Sequence, residues 1–201
     1  MNLICCDLEG VWVPEIWINV AKKTGIDELK LTTREISDYD VLMTKRLSVL
    51  DQHGLKLKDI TEVIETMEPL EGAFETLNWI RERSQIIILS DTFEEFARPL
   101  MKKLNYPALL CHSLEIDPSG RISDYKLRQA SQKKHAVRAF KGLNYRTVAF
   151  GDSYNDTAML KEADDAFFFR PPDNVIKEFP QFDVTRTYDE LKAKLNTFLK
   201  G

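Results

Sequence analysis

Three short polar clusters in this sequence could do chemistry together. Asp7-Leu8-Glu9-Gly10 closes an apolar run, Leu3-Ile4-Cys5-Cys6; Ser90-Asp91-Thr92 closes Ile86-Ile87-Ile88-Leu89; and Gly151-Asp152-Ser153-Tyr154-Asn155-Asp156 begins where Thr147-Val148-Ala149-Phe150 ends. Singly, each has an ordinary explanation: a turn acid, a serine N-cap, carboxylates in a helix first turn. Together they sit at the ends of successive apolar runs, and in open α/β sheets ligands bind beyond the carboxyl ends of the strands. Carboxylates with no neighbouring His or Cys form a hard oxygen site, the kind that suits Mg²⁺ shared with a phosphate. A serine hydroxyl and helix N–H groups suit phosphate oxygens. Such an anionic centre needs a lysine, and Lys133 and Lys134 precede an apolar helical stretch; one of the two is then a solvated surface charge.

The elements that must position these clusters follow from hydrophobic pattern. A fourth apolar run is Ala166-Phe167-Phe168-Phe169, and amphipathic segments at 72–83, 94–104, 154–163 and 188–199 separate or follow the runs. In 72–83 Phe74, Leu77, Trp79 and Ile80 share a side; in 188–199 Leu191, Leu195, Phe198 and Leu199 do. Strands alternating with helices predict an α/β fold with a Rossmann-like parallel sheet. Residues 14–68 hold no convincing strand and read as helices at 14–23, 39–53 and 58–67, with Pro14 in a first turn and Gly25 and Gly54 at helix ends. That block is too long for a crossover. The expected organisation is a core of residues 1–13 and 69–201 with a helical cap, 14–68, inserted in it. Asp117-Pro118-Ser119-Gly120 predicts the turn of a β-hairpin within 114–127.

Composition removes other classes. With 28 Lys+Arg against 32 Asp+Glu the 201-residue chain carries a net charge of −4, so nothing favours nucleic acid or an anionic membrane as partner. An apolar fraction of 43% with 30% charged residues is that of a globular protein. Cys5, Cys6 and Cys111 make no disulfide framework and read as buried thiols in a reducing compartment. The absence of a leader pattern and of 18 consecutive apolar residues leads to a cytoplasmic expectation. A nucleotide-binding scaffold would show G-x-G-x-x-G or a P-loop, and neither occurs. A signalling receiver, a non-enzymatic phosphoacceptor, shares the Asp, Ser/Thr and Lys but lacks an inserted cap.

In chain order, Asp7-Leu8-Glu9-Gly10, Leu89-Ser90-Asp91, Lys133 and the Gly151 to Asp156 loop resemble the four motifs of the haloacid dehalogenase-like superfamily. The GDSYND form and the cap are similar to the phosphoserine phosphatases. The segments DLEGVWVPEIW, YDVLMTKR, LSDTFEEF, LLCH and GDSYNDTAML resemble the subgroup that also transfers phosphate from phosphoserine to homoserine, over nearly the whole chain.

The resemblance implies a set of roles. Asp7 would be the nucleophile that becomes an aspartyl-phosphate, and Glu9 the general acid and base. The cofactor would be Mg²⁺, held by the Asp7 carboxylate, the Glu9 backbone carbonyl and Asp152, with Asp156 in support. Ser90 and Lys133 would hold the phosphoryl group, and Asp91 and Asn155 would help bind the substrate. Glu15 and Arg46 of the cap match residues that take the ammonium and carboxylate of an amino acid; an arginine fork suits the latter. Met43 either lines that pocket or fills core, whereas Trp12, Trp17 and Phe93 read as packing. The implied substrates are phosphoserine, with water or homoserine as acceptor, or another small phosphomonoester; a homodimer is compatible with the resemblance. Two departures bear on specificity: Glu9 stands where Asp is usual, and Ser90-Asp91-Thr92 replaces Ser-Gly-Gly.

Overall fold

The computed structural model describes residues 1–32, 36 and 38–201. Its sheet contains β1 (Asn2–Cys6), β2 (Gln85–Phe93), β3 (Ala108–Ile116), β4 (Ile122–Lys126), β5 (Arg146–Gly151), β6 (Asp165–Phe169) and β7 (Asp183–Thr185). The seven strands lie in the order β4-β3-β2-β1-β5-β6-β7, parallel except for β4, which returns antiparallel to β3 as the expected hairpin. Cys6 of β1 aligns with Ile88 of β2 and Phe150 of β5. Asp7, Ser90 and Asp152 therefore leave the sheet on one edge.

The sheet is buried on both faces, which is why its strands read as continuous apolar runs. Ile4 and Cys6 face one core cluster, and Leu3 and Cys5 the other. β7, with three residues, and the part of β3 ahead of the hairpin were not expected. β2 also runs past Leu89 through Ser90-Asp91-Thr92 to Phe93, with a register shift against β3 in that stretch. The second polar cluster thus lies within an irregular strand end rather than after it.

Residues 14–68 hold α1 (Ile16–Thr24), α2 (Tyr39–Gln52) and α3 (Leu57–Glu65) among those described. Gly25 ends α1 in the left-handed conformation, φ 75°, and its N–H bonds to Ala21 O. Pro14 does not open α1 as expected; Glu15 is the N-cap, so the proline belongs to the approach segment. The remaining helices are α4 (Ala73–Arg81), α5 (Glu94–Lys103), α6 (Gln132–Gly142), α7 (Thr157–Glu162), α8 (Asp173–Glu178) and α9 (Tyr188–Lys200). The helix expected over 154–163 divides into a 3-10 turn, Tyr154–Asp156, followed by α7. Phe74 is exposed, because the buried face of α4 runs through Ala73, Thr76, Leu77 and Ile80. α8 was not foreseen. No helix among the described residues is long and apolar enough to cross a membrane.

Several contacts tie the inserted helices to the sheet. The Leu70 N–H donates to Trp12 O at 2.9 Å where the chain returns to the core. Lys103 of α5 donates to Glu65 O and Met67 O at the end of α3, at 2.9 and 2.6 Å. At the hairpin tip, Leu57 N–H donates to Gly120 O at 3.0 Å and Arg121 grips Asp51 of α2 through two nitrogens.

Aromatic packing backs the loop that follows β1. Phe150 stacks on Phe167 with centroids 5.3 Å apart, Trp12 meets Phe150 edge-on at 6.0 Å, and Trp12 stacks on Tyr188 at 5.9 Å. The Tyr188 hydroxyl donates to Val11 O at 2.6 Å. Phe150→Ala removes the centre of this stack. It is expected to lower stability by about 3–5 kcal/mol, read as a fall in the urea midpoint with little change in slope.

Candidate active site

At the shared strand edge the structure brings Asp7, Asp152 and Asp156 together, each offering a carboxylate oxygen within 4.8 Å of the others. All three are buried. Lys133, from the first turn of α6, enters from the side: its Nζ lies 2.9 Å from Asp7 Oδ1, 2.8 Å from Asp156 Oδ1 and 3.7 Å from Asp91 Oδ2. The choice between the two lysines is settled for location, since Lys133 is buried here and Lys134 is not.

The electrostatics follow from three carboxylates meeting one ammonium. Burial and the nearby Asp156 push the Asp7 carboxyl well above the usual range, against the pull of Lys133. Burial works against the Lys133 charge, but Asp156, Asp7 and Asp91 outweigh it and hold the amine well above the ordinary lysine value. Asp7 Oδ1 also accepts the Leu8 N–H at 2.8 Å. Asp156 Oδ2 accepts the N–H groups of Asp152 and Ser153 at 3.0 and 3.1 Å, so this carboxylate shapes the loop that carries Asp152.

Two glycines are required by this crowding. Gly10 adopts φ +73°, and a Cβ there would stand 2.4 Å from Asp152 Oδ2. A Cβ on Gly151 would stand 2.2 Å from Asp156 Cγ. Both lie inside the motifs, but nothing in the sequence marked them as steric necessities.

Glu9 is not one of the three clustered acids, but its side chain lines the same cavity as Asp7. Its Oε2 accepts the Ile16 N–H at 2.7 Å, at the start of α1, an anion-favouring position. Burial and the neighbouring Glu15 raise its pKa to about 8. Ser90 is buried and lines the same cavity, of about 340 Å³, with Asp7, Glu9, Glu15, Arg46 and Asn155. Asn155 Nδ2 donates to Asp91 Oδ2 at 2.9 Å. All the residues singled out from the sequence as a site therefore fall in or beside one cavity.

Arg46 is buried within this cavity wall. Its guanidinium lies over the Trp17 ring, 4.6 Å from the centroid, so Trp17 does more than pack. Nη2 donates to Leu31 O at 2.9 Å, and Nη1 lies 3.7 Å from the Met43 sulfur. Nε has no hydrogen-bond partner among the described residues. Burial lowers the pKa to about 10, leaving the group charged. Met43 is fully buried core and does not line the cavity.

The model of the haloacid dehalogenase-like hydrolases matches residues 7–164 of this sequence, a span that begins at Asp7 and holds every motif just described. The chain belongs to that family. Phosphoserine phosphatase ThrH of Pseudomonas aeruginosa is 60% identical over 201 residues, covering 100% of this chain and 97% of that protein. A phosphoserine phosphatase of Methanocaldococcus jannaschii is 25% identical over 81% of this chain and 82% of its own length. A solved structure described as a phospho-aspartyl intermediate analogue of phosphoserine phosphatase superposes with a TM-score of 0.78 over 96% of this chain and 98% of that one, at 21% identity. The α/β fold of this haloacid dehalogenase-like hydrolase, with its mostly parallel sheet, is the one those structures share.

Gly151→Ala must displace Asp156 and with it the Asp152 loop. In this hydrolase a misplacement of about 1 Å is expected to cost on the order of 10²-fold in turnover, read against a phosphomonoester, while circular dichroism remains that of the parent.

Proposed function

We propose that this hydrolase removes the phosphoryl group from phosphoserine through an aspartyl-phosphate on Asp7, and that homoserine can replace water as acceptor. The observation that carries the reading is one cavity lined both by Asp7, which pairs with Lys133, and by a buried arginine with an unused N–H. The similarity to a relative named phosphoserine phosphatase supports it.

The Asp7 carboxylate attacks phosphorus and the bond to the seryl oxygen breaks. Glu9, whose raised pKa keeps a proton near neutrality, gives that proton to the departing oxygen. Glu9 then takes a proton from water or from the homoserine hydroxyl, which attacks phosphorus and frees Asp7. Ser90 and Lys133 hold the transferring oxygens, where charge stabilisation supplies most of the rate. Asp91 and Asn155 steady the substrate, Arg46 takes its carboxylate and Glu15 its ammonium.

The all-oxygen donor set and the carboxylates in excess of ammonium fit Mg²⁺. Asp7, the Glu9 carbonyl and Asp152 would hold it, with Asp156 in support, and the bound ion would offset the charge of the acids and of the phosphoryl oxygens. Residues 14–68 serve as a cap that moves to admit each acceptor in turn. Buried free thiols at Cys5, Cys6 and Cys111 suit work in a reducing cytoplasm.

Product analysis tests this reading. With phosphoserine and Mg²⁺, serine and phosphate are expected in equal amounts; added homoserine should divert phosphate into phosphohomoserine. Chelation of divalent ions and Asp7→Asn should each abolish turnover, the latter together with phosphate labelling of the protein. Absence of phosphoserine turnover would overturn the substrate; full turnover by Asp7→Asn would overturn the nucleophile.

Arg46→Ala is expected to lower kcat/KM for phosphoserine by on the order of 10²-fold, while an aryl phosphate, which has no carboxylate to pair, loses little. Equal loss on both substrates would make Arg46 a support of the cap instead.

A further inference from the structure

Asp91 follows Ser90 in the irregular end of β2, and it is held from several sides. Oδ2 accepts from Asn155 Nδ2 at 2.9 Å and lies 3.7 Å from Lys133 Nζ. Oδ1 accepts from Gln132 Nε2 at 3.3 Å and faces His112 Nε2 at 3.6 Å. One oxygen therefore addresses the active site, and the other addresses a set of residues outside the motifs.

His112 is buried on β3, opposite Phe93 in the stretch where β2 loses register. Its ring lies edge-on to Tyr39 at 6.3 Å and tilted against Phe93 at 6.4 Å. Its Nδ1 accepts the Arg128 N–H at 3.1 Å. A nitrogen that accepts cannot carry the proton, so the proton is on Nε2, the nitrogen aimed at Asp91. The Arg128 guanidinium meanwhile bonds Gln132 Oε1 at 3.2 and 3.0 Å, turning the Gln132 amide nitrogen toward Asp91 Oδ1 and Ser90 O. Arg128 thus orients both groups that face Oδ1.

We propose that His112 is a positioning residue for phosphoryl transfer, acting on Lys133 and Asn155 through Asp91. The inference rests on the reading of the site given above. At 3.6 Å the His112–Asp91 approach is longer than a hydrogen bond, and its effect is that of an oriented N–H dipole in a buried space. With that dipole present, Asp91 presents Oδ2 to Lys133 and Asn155. Burial opposes the Asp91 charge, yet Lys133, His112, Asn155 and Gln132 together hold its carboxyl well below the usual range. Without the dipole, Oδ1 keeps only the 3.3 Å bond from Gln132 among the described residues, and the carboxylate turns away from the two residues that meet the phosphoryl group and the substrate.

A double-mutant cycle on the full chain tests this. His112→Phe keeps the ring between Tyr39 and Phe93 but removes both nitrogens, and should lower kcat/KM on the order of tenfold. His112→Gln, which keeps an amide donor, should recover most of the loss. Asp91→Asn should also lower it, and His112→Phe added to Asp91→Asn should cost nothing further. Losses that multiply, or full activity in His112→Phe, would overturn the proposal. Running the cycle on both phosphoserine and an aryl phosphate separates it from the substrate assignment, because failure of phosphoserine alone leaves the aryl cycle readable. Should His112→Phe fail to fold, nitrogen NMR of the histidine ring in the parent and in Asp91→Asn decides: an Nε2–H tautomer whose signal moves in Asp91→Asn is expected. An Nδ1–H tautomer, or a signal blind to Asp91, would overturn it.

Discussion

A lysine ammonium buried among carboxylates is the constraint on which this site depends. Neither sign is stable there alone, because each would lose water without recovering its interactions. The Lys133 contacts with Asp7 and Asp156 therefore bind three separate stretches of chain: the end of β1, the loop after β5 and the start of α6. Asp156 extends the constraint by accepting the Asp152 and Ser153 N–H groups, so the loop geometry and the charge balance are one arrangement. The glycines at 10 and 151 are what allow the carboxylates to approach so closely.

The same charge balance explains the division of labour between sheet and inserted helices. The sheet edge supplies groups that suit a phosphoryl centre whatever it is attached to. The inserted helices bring Glu15 and Arg46, one charge of each sign, to the same cavity wall, and under the proposed reading these would discriminate among esters. Glu9 bridges the two, since its side chain accepts the first N–H of α1 while its backbone belongs to the β1 loop.

Much of this was legible in the sequence, and the reason is physical. A parallel sheet covered on both faces must be built from uninterrupted apolar runs, so β1, β2, β5 and β6 stood out, and so did the polar residues that stop them. β7 was too short to show a pattern, and α8 likewise. β3 starts with an apolar run like the others, but it continues into the hairpin with no polar cluster to mark its end. Pro14 suits a helix start by type, yet the Glu15 backbone already has the cap conformation, so the helix begins one residue beyond it. Of the surroundings of Asp91, Asn155 and Lys133 were expected in the same site, but the residues that face its other oxygen could not be read. His112, Arg128 and Gln132 are ordinary residues until β3 and α6 bring them to one carboxylate, and that proximity leaves no local periodicity.

The Tyr188 hydroxyl bonds Val11 O across 177 positions of sequence, and its ring stacks on Trp12. The loop that carries Asp7 and Glu9 is therefore backed by α9. During synthesis β1 is made well before α9, so its loop lacks the Tyr188 contacts until α9 has emerged. Contacts of such long separation form late in folding. A nascent chain that has completed β1 to β6 therefore carries the motifs while the loop that bears Asp7 and Glu9 still lacks the Tyr188 ring and hydroxyl behind it.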